Sequence, residues 1–157
     1  HLLKHISDKY SVHLGTFIDE QNDLQYVETV KQWCGDSYFE LLNPTQAKLG
    51  SLTALLKNRP LSLDYYRSTA MQAWVNNTVQ KQSIKKIVIF SSAMAQFVES
   101  FTETRRVIDF VDVDSDKWLQ YSRKKIWPMS WLYQREGRTL LAYERTITNT
   151  CYAYLFV

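Results

Sequence analysis

The sequence predicts an α/β fold, a Rossmann-like open and mainly parallel sheet with helices on both faces. Strand-length apolar stretches alternate with stretches of helical spacing along the chain, as in βαβ units. The clearest strand stretches, Ile84–Phe90 and the run from Val107 to Asp112, are rich in β-branched and aromatic residues. Such runs are typical of strands that are covered on both faces. The 157 residues suit one domain with a substantial core.

Apolar spacing and residues that end helices place the elements in order. Gly35 ends the helix that starts near Leu24, and Pro44 suits the first turn of the next helix. We expect five strands, at about 11–18, 38–42, 84–90, 107–111 and 151–157. Helices are expected at about 2–8, 24–34, 44–56, 68–82, 92–98, 116–125 and 128–148, with 61–67 as an aromatic-rich connection.

Composition excludes several classes of protein. The net charge of +3 is too small to indicate a nucleic-acid partner by itself. No apolar run approaches the roughly 18 residues that span a bilayer. With four glycines and neither a P-loop nor a G-x-G-x-x-G motif, the chain lacks a phosphate-cradling loop of its own. Cys34 and Cys151 are predicted to be free thiols.

Three acids at a spacing of two, Asp112, Asp114 and Asp116, follow the strand that begins at Val107. Ligands of open α/β sheets bind beyond the carboxyl ends of the strands, so these acids are candidates for chemistry. A haloacid-dehalogenase-type phosphatase would use Asp112 as nucleophile and Asp114 as acid/base, but it needs a second acidic cluster for Mg²⁺, which the remaining sequence does not supply. A calcium loop would need Gly and Glu where Lys117 and Arg123 stand. In a purely structural interpretation Asp116 caps the next helix and Asp114 stabilises its dipole, which leaves Asp112 unexplained.

Two other groups are candidates for ligand binding. Ser91 and Ser92 stand between a strand and a helix, where they either cap the helix or help to bind an anion or sugar hydroxyl. The run from Tyr65 through Tyr66 to Arg67 either clamps a sugar or phosphate or packs internally. Further along, Trp118, Trp127 and Trp131 are interpreted as core residues, with a lipid-facing patch as the alternative. The C-terminal arginines Arg135, Arg138 and Arg145 are interpreted as solvated helix charges.

Two longer motifs, Val107–Trp118 and Pro128–Arg145, strongly resemble the sugar transferases associated with bacterial PEP-CTERM and exopolysaccharide systems. These transferases belong to the family 4 (group 1) glycosyltransferases. Shorter segments resemble the same proteins in the same order, so that the resemblance covers essentially the whole chain; they are His1–His5, Val12–Gly15, Leu61–Tyr66 and Phe90–Ala95.

The resemblance implies a GT-B enzyme, in which two Rossmann-like domains hold a nucleotide-sugar in the cleft between them. Residues 1–157 would form a single acceptor-side domain, truncated at both ends, without the first strand expected before His1 and without the donor-binding C-terminal domain. It implies cytoplasmic transfer of sugar to a glycan or lipid-linked acceptor, with no metal, cofactor or nucleic acid, and leaves peripheral contact with the inner membrane open. A non-enzymatic Rossmann-like binding module is the remaining alternative.

The resemblance also suggests roles for individual residues. Asp112 and Asp114 would face the interdomain cleft, where many relatives carry a His, and a carboxylate there can accept the proton of the acceptor hydroxyl or orient the sugar. The residues expected to bind the acceptor are Ser91, Ser92, Tyr65, Tyr66 and Arg67.

Overall fold

The computed structural model describes residues 2–155 and confirms the α/β class. Five strands are present in this part of the chain, and every pairing between them is parallel. They are β1 (His13–Ile18), β2 (Asp36–Leu41), β3 (Lys86–Phe90), β4 (Arg105–Asp109) and β5 (Ala153–Leu155). They form two sheets rather than one, with the orders β1-β2 and β3-β4-β5. Of the segments singled out in the sequence, His1 and the last two residues lie outside the described residues.

Eight α-helices and two 3₁₀ helices connect the strands in residues 2–155. The α-helices are α1 (Leu2–Ser7), α2 (Val27–Lys31), α3 (Pro44–Ser51), α4 (Thr53–Leu56), α5 (Leu61–Tyr65), α6 (Thr69–Lys81), α7 (Asp114–Arg123) and α8 (Met129–Thr150). The 3₁₀ helices are Gln21–Tyr26 and Ser92–Phe97. The expected connection at 61–67 therefore contains a helix. Within residues 2–155, no helix is both long and apolar enough to cross a bilayer.

The chain divides into two compact units, each with one sheet. One consists of His1–Thr45 with Ser68–Ser83, and the other of Gln46–Arg67 with Ile84–Val157. The assignment of residues 1–157 to a single domain stays a prediction.

In the first unit, α6 packs closely on β1. A Cβ on Gly15 would lie only 2.8 Å from the Trp74 ring and 2.9 Å from Met71 Sδ, so the strand needs glycine at this contact. Ser68 caps α6, because its hydroxyl accepts a hydrogen bond from the Met71 N–H at 3.0 Å. The same hydroxyl donates to the Glu40 carboxylate at 2.6 Å, which joins the helix start to β2.

The core of the second unit includes residues of β4 and α8. Ile108 and Phe110 are fully buried, as is Leu140 on α8. The other buried positions of α8 include two carboxylates and lie along the same side of the helix: Glu136, Gly137, Glu144 and Ile147. In contrast, Val88 and Phe90 on β3 are exposed, although the sequence predicts a strand covered on both faces.

The interpretation of the tryptophans as core residues is wrong for two of the three. Trp127 and Trp131 are exposed, whereas Trp118 is half-buried against Tyr133. Trp131 lies nine residues before Leu140, which at 3.6 residues per turn places it on the opposite side of α8 from the core.

Gly137→Ala should destabilise the protein, although alanine normally stabilises a helix interior. A Cβ at position 137 would lie 2.7 Å from Leu119 Cγ and 2.9 Å from the Ser115 carbonyl oxygen, so α7 would have to move away from α8. We expect a loss of about 2 kcal/mol in the free energy of unfolding, measured by urea denaturation. Gly50→Ala in α3 is the matched control, because its Cβ would meet open space, and it should gain about 0.5–1 kcal/mol. Equal effects of the two substitutions would contradict this account of Gly137.

Candidate functional site

The candidate site lies where β3 and β4 end, side by side, in the second unit. The parallel register pairs Phe90 with Asp109, so the residues that follow each strand emerge at the same edge of the sheet. The Ser91 N–H donates to the Asp109 carbonyl oxygen at 2.8 Å and continues the ladder by one bond. We refer to the polar side chains gathered here as the acid–serine cluster: Ser91, Ser92, Asp112, Asp114 and Glu144.

Each of the two strands is followed at this site by a residue with positive φ. Ser91 has φ 75° and ψ 142°, and Val111 has φ 61°, a conformation that a β-branched residue rarely adopts. The Asp112 N–H donates to the Phe110 carbonyl oxygen at 2.6 Å, which closes a tight three-residue turn around Val111. Such residues cost of order 1–3 kcal/mol each and concentrate at functional sites. The presence of two such residues after adjacent strands therefore indicates a functional site at this edge of the sheet.

Asp114 begins α7 and is joined to the end of β3 through Ser91. The Ser91 hydroxyl donates to Asp114 Oδ2 over 3.5 Å, a long hydrogen bond. Burial raises the pKa of the half-buried Asp114, the nearby Asp112 raises it further, and Lys117 and Ser91 oppose the shift. Asp112 is exposed on the turn, so the cluster presents one exposed and one half-buried carboxylate. The structure thus brings together four of the predicted site residues, Ser91, Ser92, Asp112 and Asp114.

Glu144 on α8 is a member of the cluster that the sequence analysis did not identify as a site residue. Its buried carboxylate accepts hydrogen bonds from the Ser115 hydroxyl at 2.5 Å and the Ser115 N–H at 3.4 Å. It therefore caps α7 from a different helix, whereas the structural interpretation assigned this cap to Asp116. The Asp116 carboxylate instead accepts a hydrogen bond from Gln120. The sequence did contain a signal, since Glu144 shares its helix face with Leu140 and Ile147.

Burial raises the pKa of Glu144, and the neighbouring Asp114 carboxylate raises it further. The hydrogen bonds from Ser115 oppose the shift. Ser92 is fully buried and lies near enough to lower the pKa of Glu144, yet its hydroxyl meets the geometry of a hydrogen bond with none of the described residues. Ser92 is therefore a neighbour of the carboxylate and not a hydrogen-bond donor to it.

The predicted acceptor-binding run at 65–67 makes local contacts. The rings of Tyr65 and Tyr66 pack edge to face with their centroids 4.9 Å apart. Arg67 forms a long ion pair of 3.8 Å with the buried carboxylate of Asp64 at the C-terminal end of α5. These contacts agree with internal packing, and a role for Tyr65, Tyr66 and Arg67 in acceptor binding stays a prediction.

The described residues contain no group of three or more His, Cys, Asp or Glu side chains that could hold a metal ion. No family model, no curated protein and no solved structure matches this chain. The acid–serine cluster can accept a proton at Asp112 or Asp114 and can orient a hydroxyl-bearing ligand through Ser91.

Ser91→Gly should leave the protein more stable than Ser91→Ala by about 1 kcal/mol. Both variants remove the hydroxyl and its bond to Asp114, but only glycine relieves the positive φ. The comparison therefore isolates backbone strain, and urea denaturation of the two variants measures it. An alanine variant as stable as the glycine variant would show that Ser91 is unstrained.

Glu144→Ala should lower the free energy of unfolding by about 2–4 kcal/mol, because it leaves a cavity and removes the acceptor for the Ser115 N–H and hydroxyl. Glu144→Gln keeps an oxygen acceptor there, so its loss should be about half as large. Glu144→Gln measures the loss of the charge alone, whereas Glu144→Ala also removes the side-chain volume and the acceptor that caps α7.

The same pair predicts a pH dependence. The pKa of Glu144 is raised above its ordinary value of 4.5, so the folded protein holds this proton more tightly than the unfolded chain does. The contribution of Glu144 to stability is then complete below the ordinary pKa and is lost as pH rises through the raised pKa. Glutamine does not titrate, so the stability of Glu144→Gln relative to wild type should improve over that range. A difference that is constant with pH would contradict the raised pKa.

Proposed function

We propose that this chain is the acceptor-side domain of a glycosyltransferase that transfers a sugar from a nucleotide-sugar to an acceptor in bacterial exopolysaccharide or cell-surface glycan synthesis. The observation that carries the proposal is the acid–serine cluster, which lies at the carboxyl end of a parallel sheet and is formed by the motifs that resemble the family 4 sugar transferases. The nucleotide-sugar is a substrate that the donor-binding half would hold. We also propose that the enzyme is cytoplasmic and makes peripheral contact with the inner membrane.

The strand pairing supports a Rossmann-type half. In a Rossmann sheet the strands follow the order 3-2-1-4-5-6. The pair β2-β1 and the triplet β3-β4-β5 have the neighbours of strands 3-2 and 4-5-6 in that order.

Chemistry at the cluster follows from its electrostatics. The pKa of Asp114 is raised, so this carboxylate, once ionised, binds a proton more readily than an ordinary aspartate. Asp112 is exposed beside it and is the better placed of the two to meet an acceptor hydroxyl. In this proposal Asp112 accepts the hydroxyl proton or orients the sugar, Asp114 supports it, and Ser91 holds Asp114.

The test is sugar transfer by the protein that joins this chain to its donor-binding half. Asp112→Asn should reduce kcat by about 10²–10⁴-fold, since an amide cannot accept the proton, while the affinity for the nucleotide-sugar stays unchanged. Asp116→Asn is the matched control, because Asp116 is exposed and bonded to Gln120, and it should keep full turnover.

Unchanged turnover in Asp112→Asn and in Asp114→Asn would remove both residues from the mechanism. Failure of the wild type to transfer sugar, together with Mg²⁺-dependent hydrolysis of a chromogenic phosphate that Asp112→Asn abolishes, would establish the phosphatase alternative instead. If the protein shows neither sugar transfer nor phosphate hydrolysis, the non-enzymatic binding module is the remaining alternative.

A further inference from the structure

The connection between α7 and α8 exposes large apolar side chains on an otherwise cationic surface. Ile126 is 87% exposed, Trp127 is 78% exposed and Trp131, in the first turn of α8, is 53% exposed. Residues 123–129 are all exposed. We refer to this surface as the α7–α8 patch, which consists of Arg123, Lys124, Lys125, Ile126, Trp127, Met129 and Trp131.

The charge of the patch is of one sign. No Asp or Glu occurs from residue 117 to residue 135. Arg123, Lys124 and Lys125 form no ion pair with any carboxylate among residues 2–155. Three adjacent cations therefore border the exposed isoleucine and tryptophan, although the whole chain carries a net charge of only +3.

A shallow cavity of about 260 Å³ adjoins the patch at Trp131. Its lining includes Gln134, Arg135 and Arg138. The Arg135 guanidinium donates to the Arg59 and Ala54 carbonyl oxygens at 3.1 and 3.0 Å, and so is partly engaged. Arg138 is exposed and has no ion pair within the described residues, so it is the cation that the cavity offers to an anionic group.

The patch is held by packed helices. Leu119 of α7 lies against Gly137 of α8, and the Trp118 and Tyr133 rings lie 5.2 Å apart at the base of the connection. Because α7 and α8 pack against each other on either side of the connection, less of it is left to be ordered at a surface, which lowers the entropic cost of docking.

We propose that the α7–α8 patch docks the protein on a bilayer that contains anionic phospholipid. Tryptophan and a large aliphatic side chain suit the interfacial region of a bilayer, and adjacent lysines and arginines are attracted to its negative headgroups. Basic and aromatic residues also bind single-stranded nucleic acid, but there the aromatic rings stack on bases beside a cationic groove. Here the most exposed apolar residue is the aliphatic Ile126, which cannot stack, and this favours the lipid surface.

The patch and the candidate site lie at opposite ends of α7. Asp114 begins this helix of ten residues and Arg123 ends it, so the helix spans roughly 15 Å between them. Docking would therefore hold the acid–serine cluster within reach of a lipid-linked acceptor. Only this last step rests on the proposed glycosyltransferase function, and docking itself needs no catalysis.

The experiment is co-sedimentation of the chain with lipid vesicles. Vesicles of phosphatidylcholine alone are compared with vesicles in which roughly one third of the lipid is phosphatidylglycerol. We expect binding to the anionic vesicles, little binding to the neutral ones, and weaker binding as salt is raised. Lys124→Gln with Lys125→Gln should lower the affinity for anionic vesicles about 30-fold, from roughly fivefold for each cation.

Matched controls remove the same groups elsewhere in the second unit. Lys57→Gln with Lys85→Gln removes two exposed cations outside the patch and should leave vesicle binding within about twofold of wild type. Ile126→Ser should weaken binding about tenfold, whereas Leu56→Ser, at a leucine that is 92% exposed, should not. Far-ultraviolet circular dichroism of each variant confirms that the fold is kept.

Several results would overturn the proposal. These are failure of the wild-type chain to bind anionic vesicles, equal losses in the patch and control variants, or binding of single-stranded RNA but not vesicles. Vesicle binding that depends on the patch in a protein that transfers no sugar would support docking while removing the glycosyltransferase proposal. Sugar transfer by a protein that does not bind vesicles would support the glycosyltransferase proposal and remove docking.

Discussion

The second unit depends on two carboxylates buried on one helix. Glu136 and Glu144 both lie on the inward side of α8. At the start of another helix, each accepts a hydrogen bond from a serine hydroxyl, Glu136 with two backbone N–H groups and Glu144 with one. Glu136 accepts from the Leu61 and Ser62 N–H groups at 2.6 and 2.9 Å and from the Ser62 hydroxyl at 2.6 Å. The partner of Glu144 is Ser115. A buried carboxylate is costly unless it is hydrogen-bonded, so these bonds require α5 and α7 to begin where they do.

Arginine side chains donate to carbonyl oxygens at the opposite ends of helices. Arg106 on β4 donates to the carbonyl oxygens of Val98 and Glu99, which follow a 3₁₀ helix, and to that of Thr150 at the end of α8. The partly buried Arg135 donates to the carbonyl oxygens of Ala54 in α4 and of Arg59 beyond its end. Carboxylates at helix starts and guanidiniums at helix ends both match the helix dipole. The polar interior of this unit is thus a set of tertiary caps, and the short helices α4 and α5 are stabilised by them rather than by their own length.

This capping scheme bears on the candidate site because Glu144 belongs to both. Through Ser115 it holds the first turn of α7, and this turn carries Asp114. The strained residues Ser91 and Val111 direct the strand ends toward the same place. A position with positive φ persists only when its surroundings determine it. The hydrogen bonds from Ser115 to Glu144 and the packing of α7 on α8 help to supply that condition, so α8 contributes to the geometry of the acidic residues.

The sequence by itself determined the α/β class, the five strands to within a few residues and most helices, because hydrophobic period and turn residues are local signals. It also placed Ser91, Asp112 and Asp114 at strand ends, from which the parallel rule predicts their proximity. Only the tertiary structure divided the strands between two sheets, turned Trp127 and Trp131 outward, and added Glu144 to the cluster. The physical reason is that burial on one side of α8 and capping across more than twenty residues of sequence depend on contacts between distant segments, which local patterns do not encode.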